Sequence, residues 1–137
     1  MTDSAILQAL QQKVIASVSA STMSALPIKF VGVTFDPPDD GKWLEIVFLP
    51  NNPTDQYWGE EEAYRGSIRL ILHWPNDGSG SYEPIDLIAS IGRAFTKHQV
   101  LVGPVKLTDK AKLNPPVENG VETLYPVTLR YESFSLA

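Results

Sequence analysis

The residues best suited to chemistry are few and lie far apart in the sequence. The 137 residues include two histidines, His73 and His98, and no cysteine. A nucleophilic triad needs a serine or cysteine beside an oriented base, and neither histidine lies in a recognisable nucleophile motif. With two histidines and no thiol, one chain cannot build a histidine-rich or cysteine-based metal site. The sequence therefore predicts no catalytic residue, no metal and no cofactor, and we expect a protein that is not an enzyme.

The most concentrated charge is a run of three carboxylates, Glu60, Glu61 and Glu62. Clustered carboxylates can hold a hard cation such as Ca²⁺, but the alternating Asp/Asn pattern and central glycine of a calcium loop are absent. Three consecutive side chains also diverge instead of converging on one ion. We interpret the run as a solvated acidic loop or as a contact for basic residues of a partner, and metal binding as the less favoured alternative.

Three arginines could bind phosphate, because Arg65 and Arg69 lie on one predicted strand and Arg130 on another. The formal net charge is −5, however, which makes the chain a poor general binder of nucleic acid. Pairing across neighbouring strands with Glu45 and Glu132 is the favoured interpretation of these arginines.

Hydrophobic periodicity predicts the elements that must position these side chains. Apolar residues recur at helical spacing in two segments and alternate with polar residues in others. We expect the first two strands to pair antiparallel, and Pro126 argues against a central position for its end of the last strand. The predicted helices cover residues 3–20 and 82–97, and the predicted strands cover 28–35, 42–49, 64–74, 100–107 and 121–134.

The order of elements predicts an α+β fold with the order α-β-β-β-α-β-β. Two amphipathic helices can cover one face of a mostly antiparallel sheet of about five strands. We expect residues 1–137 to form a single domain, since 43% hydrophobic and 20% charged residues are typical of a soluble globular fold. No apolar stretch approaches the roughly 20 residues of a membrane span.

Two long predicted loops, residues 50–63 and 108–120, exceed the usual connection of about 4–6 residues. The first contains Tyr57 and Trp58, and interface hot spots favour such aromatic residues. The alternative is that both side chains fold onto their own sheet, as tryptophan and tyrosine often do.

Several short motifs resemble the tail-terminator and related minor tail proteins of long-tailed bacteriophages. The resemblance extends from about residue 5 to residue 131. The motifs shared with the family mark the ends of predicted elements. Phe48-Leu49-Pro50-Asn51 ends one strand, Tyr64-Arg65-Gly66 begins the next, and Trp74-Pro75 ends it. An Ile/Ala-rich helix then runs to Phe95, and Tyr125-Pro126-Val127-Thr128-Leu129 resembles the closing strand of the family.

The resemblance implies a subunit that closes into a ring, a hexamer in this family, on the last ring of the tail tube. Such a ring stops tube polymerisation, presents a surface to the head-connector protein and lets DNA pass through its hole. The expected partners are copies of itself, the tail-tube protein and the head connector, with no membrane. The expected location is the virion tail, after assembly in the host cytoplasm. Subunit or tail contacts would involve Tyr57, Trp58, Glu60, Glu61 and Glu62.

Three alternatives remain open at the level of sequence. The chain could be a head–tail joining or stopper protein, or a tail-tube subunit of the same machine. A different class is a small ligand-binding domain or enzyme with an unrecognised site, for which a deep pocket with a titratable residue would be expected.

Overall fold

The computed structural model describes residues 3–50, 54–55, 61–78, 80–96, 99, 101 and 105–136. Within these residues the chain forms two helices and one eight-stranded sheet. When three short strands that the sequence did not predict, at residues 54–55, 112–113 and 117–118, are set aside, the predicted order α-β-β-β-α-β-β and the α+β class are confirmed. The elements are α1 (Asp3–Ser19), β1 (Ile28–Lys29), β2 (Trp43–Pro50), β3 (Thr54–Asp55), β4 (Glu61–Pro75), α2 (Tyr82–Arg93), β5 (Val105–Leu107), β6 (Lys112–Leu113), β7 (Val117–Glu118) and β8 (Glu122–Leu136).

The main path through the sheet is β1-β2-β4-β8-β5, with β3 on β4 and with β6 and β7 on β8. Strands β4 and β8 are 15 residues long and pair antiparallel along their whole length, from Glu61 opposite Leu136 to Pro75 opposite Glu122. The antiparallel pairing predicted for the first two strands is wrong, because β1 and β2 are parallel. The connection 30–42 is long enough to be the crossover that a parallel pair requires.

Several predicted boundaries also differ from the structure. The first strand ends at Lys29 instead of residue 35, because the chain turns there: Val33 N–H donates to the Phe30 carbonyl and Gly32 has a φ of +76°. The second helix ends at Arg93 instead of residue 97. The two predicted long loops contain paired strands, β3 and the start of β4 in one and β6 and β7 in the other. Pairing with distant strands thus gives strand structure to residues whose local sequence indicates a loop.

Pro126 lies on β8, which is central in the sheet, so the argument against a central position is wrong. Pro126 is opposite Ile71 of β4, but its carbonyl accepts from Asn114 N–H on the other side of the strand. The N–H and C=O of one strand residue point to the same side, so the missing donor faces the short β6 segment and not the long β4 ladder. Proline therefore removes no hydrogen bond from the main pairing.

The core lies between the two helices and one face of the sheet. The alternation predicted for β2, β4 and β8 places their apolar residues on this face, and the helices bury their stripes against it. Each fully buried aliphatic side chain contributes about 1.5–3 kcal/mol to folding. The buried cluster comprises Ile6, Ala9, Leu10, Val14, Val18, Leu26, Leu44, Ile46, Ile68, Leu70, Leu72, Trp74, Leu87, Ile88, Ile91, Phe95, Val105, Leu107, Tyr125, Val127, Leu129 and Tyr131.

Gly66 allows β4, β8 and β2 to approach closely within this core. A Cβ atom there would lie 2.6 Å from the Tyr131 hydroxyl oxygen and 2.7 Å from the Leu49 carbonyl oxygen. The Tyr131 ring fills the space and stacks on Phe48 at a centroid distance of 6.0 Å. A side chain at position 66 would occupy space that the tyrosine already fills.

Candidate functional site

The predicted interface residues are only partly within the described residues. Tyr57, Trp58 and Glu60 lie outside them, as does His98. Glu61 and Glu62 belong to β4, where they pair with Leu136 and Ser135 of β8. They are therefore strand residues and not part of a loop, and the interface role of all five residues stays a prediction.

The face of the sheet away from the helices, hereafter the outer face, carries the polar side chains of β2, β4 and β8. Because side chains alternate along a strand, every second residue of β4 from Arg65 to His73 points to this face. Arg65, Arg69 and Arg130 are exposed on it, and His73 is buried. The outer face is thus the place where the chain gathers its charged groups.

His73 is held on the outer face by three neighbours. Its Nε2 lies 2.9 Å from Glu45 Oε1 on β2, and its Nδ1 lies 3.2 Å from Glu122 Oε1 on β8. The Trp43 ring stacks on the imidazole at a centroid distance of 3.7 Å and an angle of 6°. Glu45 also contacts Lys29 Nζ at 3.8 Å. The imidazole therefore connects three strands of the sheet.

This arrangement is structural in character. Both ring nitrogens of His73 face carboxylate oxygens, so neither is free to accept a proton from a substrate hydroxyl. The sequence indicated only a half-buried strand residue here, because the partners are distant in the chain. Finding them required the register of β2 and β8 against β4. The cluster therefore gives no support to the alternative of an enzyme based on His73.

Two adjoining hollows of about 530 and 480 Å³ run across the outer face and share Arg130 and Asp109 in their walls. We call this surface the basic groove and define it by Arg65, Arg69, Lys106, Lys110, Lys112 and Arg130 on β4, β5, β6, β8 and the intervening segment. Lys106 is included because it lies opposite Glu132 in the register of β5 and β8, and Glu132 lines the groove. The groove collects six of the eleven basic residues of an acidic chain.

The predicted pairing of the arginines with glutamates is found at only one of them. Arg65 Nε lies 3.6 Å from Glu132 Oε2. In the part of the chain that the structure describes, no carboxylate forms an ion pair with Arg69 or Arg130. Glu45, the other predicted partner, contacts Lys29 and His73 instead. Two exposed guanidinium groups in the groove thus remain available to an anionic group from outside.

A second charged surface follows β1, which is an edge strand of the sheet. Residues 31–40, hereafter the acidic loop, contain Asp36, Asp39 and Asp40, all exposed. Val31 and Val33 of the same loop are 38% and 57% exposed. The loop is held to its own subunit by Phe35, whose ring contacts Trp43 at a centroid distance of 4.9 Å. It therefore presents a fixed surface of mixed acidic and apolar character.

A third hollow, of about 410 Å³, lies between α2 and the segment before β6. It is lined mainly by apolar residues, including Gly92, Phe95, Ala111 and Leu113. Among the described residues no group of His, Cys, Asp or Glu could hold a metal ion. No helix within them is long and apolar enough to cross a membrane. Among the described side chains, neither this hollow nor the carboxylates form a convergent acid–base site.

These features define a small α+β subunit whose polar groups are displayed on surfaces. The sequence model of the phage tail terminator protein family matches residues 5–131, so the chain belongs to that family. It is a structural protein of the phage tail, located in the virion tail, and it associates with other components of the virion. The family points to a non-enzymatic role.

Solved structures share the fold. One chain superposes with a TM-score of 0.77 at 23% identity, covering 97% of this chain and 96% of that chain. A chain from the virion of a native gene transfer agent particle superposes with a TM-score of 0.60 at 15% identity, covering 96% and 98%. No curated protein matches the sequence. At these identities the structures show the common fold alone.

Proposed function

We propose that the chain acts over residues 1–137 as a tail terminator, a subunit of a ring that caps the tail tube. The ring stops tube polymerisation and provides the surface for head attachment. The observation that carries this proposal is the family match over residues 5–131, which spans both helices and nearly the whole sheet. The mechanism is geometric: a subunit that fits the tube end on one side and differs from a tube subunit on the other ends growth.

The surfaces of the subunit support a ring. A closed ring of identical subunits uses heterologous contacts, so each subunit needs two different and complementary patches. The basic groove and the acidic loop are two such patches, since the groove extends from β4 across β8 and the loop follows the edge strand β1. We propose a hexamer as the ring size, since the family resemblance implies it.

The proposed partners are further copies of the chain, the tail-tube protein and the head connector. DNA only passes through the hole, and assembly of the ring needs no cofactor. Tyr57, Trp58, Glu60, Glu61 and Glu62 are proposed as subunit or tail contacts, because interface hot spots favour aromatic residues and acidic residues can contact basic groups of a partner.

Electron microscopy of phage particles made without this protein tests the proposal. A terminator predicts tails of uncontrolled length that lack heads, because nothing ends tube growth or receives the connector. A head–tail joining protein predicts headless tails of normal length, and a tube subunit predicts no tails. Normal virions in the absence of the protein would refute all three assignments.

A further inference from the structure

We infer that the basic groove is the docking surface for the acidic loop of a second copy of this chain. This inference rests on the proposed ring and deepens it by naming the two surfaces that join neighbouring subunits. Its starting point is the uneven distribution of charge over the molecule. Outside the groove and its two acids, Asp109 and Glu132, the chain carries five basic against fourteen acidic residues.

The groove has the chemistry to bind carboxylates. Arg69 and Arg130 are exposed, and within the described part of the chain neither has an ion-pair partner. A guanidinium presents a planar fork of donors that matches a carboxylate in a bidentate manner. Lys110 and Lys112 are exposed along the same wall and add positive potential.

The acidic loop has the matching composition. Asp36 and Asp39 are exposed and supply carboxylates, while Val31 and Val33 supply apolar area. On the outer face, Leu49 lies in the same cross-strand row as Ser67 and Arg130 and is 41% exposed. Carboxylates opposite arginines, with valines opposite this leucine, would combine a charged and an apolar contact, as protein interfaces commonly do.

The loop cannot reach the groove of its own subunit. Phe35 packs on Trp43 in the cross-strand row of His73, and Gly41 lies against the ring of Pro75 at the end of β4. Arg69 is four residues away along β4, which corresponds to roughly 13 Å. Strand β2 also separates β1 from β4, the nearest strand of the groove. The loop therefore does not fill the groove of its own subunit, whereas the loop of another copy can.

DNA is the competing occupant, since phosphates also bind arginine. The net charge of −5 disfavours it, because repulsion from the rest of the subunit opposes the approach of a polyanion. A second copy is also acidic overall, but its loop brings only three carboxylates, next to exposed valines, so the opposing charge near the groove is smaller than that of a polyanion. Charge complementarity within the chain thus favours self-docking.

Charge reversal tests the inference with two variants. The groove variant carries Arg69→Glu and Arg130→Glu, and the loop variant carries Asp36→Lys and Asp39→Lys. All four residues are exposed, so folding should be retained, which thermal unfolding checks. Oligomers are measured by native mass spectrometry over a range of concentrations. Each variant alone should need a concentration roughly 100-fold higher than the wild type to form rings, because like charges then face each other.

The mixture of the two variants gives the sharpest outcome. In an equal mixture the substituted groove of one variant can meet the substituted loop of the other, and the unsubstituted groove can meet the unsubstituted loop, so rings with alternating subunits should form again. A chain that combines all four substitutions should likewise form rings. Rings that are not restored in either case would overturn the inference.

A matched control, Lys13→Glu with Arg93→Glu, changes the net charge equally on the helices. If the control loses rings as the groove variant does, net charge is the cause and the inference is wrong. If the wild type and the groove variant form rings equally well, this interface is wrong and the ring stands. If that groove variant also loses binding of a short fluorescein-labelled DNA duplex, the groove is a phosphate surface. A wild type that never closes, even on assembled tail tubes, refutes the ring and the interface together.

Discussion

Two glycine-to-alanine substitutions should change stability in opposite directions. At Gly66 the new Cβ would lie 2.7 Å from the Leu49 carbonyl oxygen and 2.6 Å from the Tyr131 hydroxyl oxygen. An ordinary contact of a Cβ begins at about 3.4 Å, so the overlap is near 0.7 Å, and the Leu49 oxygen belongs to the backbone of a paired strand. Overpacking costs about 1–3 kcal/mol, and the rigid backbone partner places Gly66→Ala at the upper end, about 3 kcal/mol.

Gly92 provides the control, because it is buried in helix α2 and a Cβ there has room. A Cβ there would meet Ala111 Cβ at 3.4 Å and Val127 Cγ2 at 3.5 Å, which are ordinary contacts. Alanine costs less backbone entropy than glycine in a helix, so Gly92→Ala should stabilise the fold by up to about 1 kcal/mol.

Circular dichroism thermal melts measure the two effects. For a chain of this size 1 kcal/mol corresponds to roughly 3–4 °C, so Gly66→Ala should lower the Tm by about 10 °C and Gly92→Ala should raise it by up to about 3 °C. The effects of Gly66→Ala and Tyr131→Phe should not be additive. Tyr131→Phe removes one of the two oxygens that clash with the new Cβ, so Gly66→Ala should cost less in its presence. A Gly66→Ala protein that melts with the wild type would refute the close approach of the three strands.

Three further predictions concern the outer face, the core and the assembly. A double-mutant cycle of His73→Gln and Glu122→Gln, measured by urea unfolding, should give a coupling of about 0.5–3 kcal/mol, and additive effects would exclude the contact. Burial raises the pKa of the Tyr125 hydroxyl above its ordinary 10.0. The hydrogen bond with Thr123 lowers this pKa, and the negative charge of Glu118 raises it. The stability that depends on neutral Tyr125 is therefore complete below pH 10 and is lost as the pH rises through the folded pKa, so Tyr125→Phe should flatten the alkaline part of a Tm-against-pH curve. Trp58→Ala should weaken ring formation or tail capping and leave the Tm nearly unchanged; a large fall in Tm with intact assembly would show that Trp58 belongs to the core.

The two ends of the outer face differ in how its side chains are packed. His73 is buried and contacts Trp43, Glu45 and Glu122, and these contacts join β2, β4 and β8. At this end of the sheet the Phe35 ring of the acidic loop also packs on Trp43. The same sheet leaves Arg69 and Arg130 exposed further along. The outer face therefore has a packed cluster at one end and exposed arginines further along.

The sequence alone indicated the buried faces of the helices and of the long strands. Alternation placed Ile68, Leu70, Leu72 and Trp74 on one face of β4, and all four are buried. Helical spacing likewise identified the stripe of α1 that begins at Ile6. These patterns are local, since each follows from the geometry of one helix or one strand and from the cost of exposing apolar side chains.

Only the tertiary structure decided how the strands pair and what the polar residues meet. Three features depend on partners distant in the sequence. They are the parallel pairing of β1 with β2, the central position of Pro126 and the pairing of Glu61 and Glu62 with the end of β8. The same holds for the charges: Glu132 neutralises Arg65, whereas Arg69 finds no carboxylate on the neighbouring strands. Register decides these contacts, because a shift of one residue would move every such side chain to the other face of the sheet.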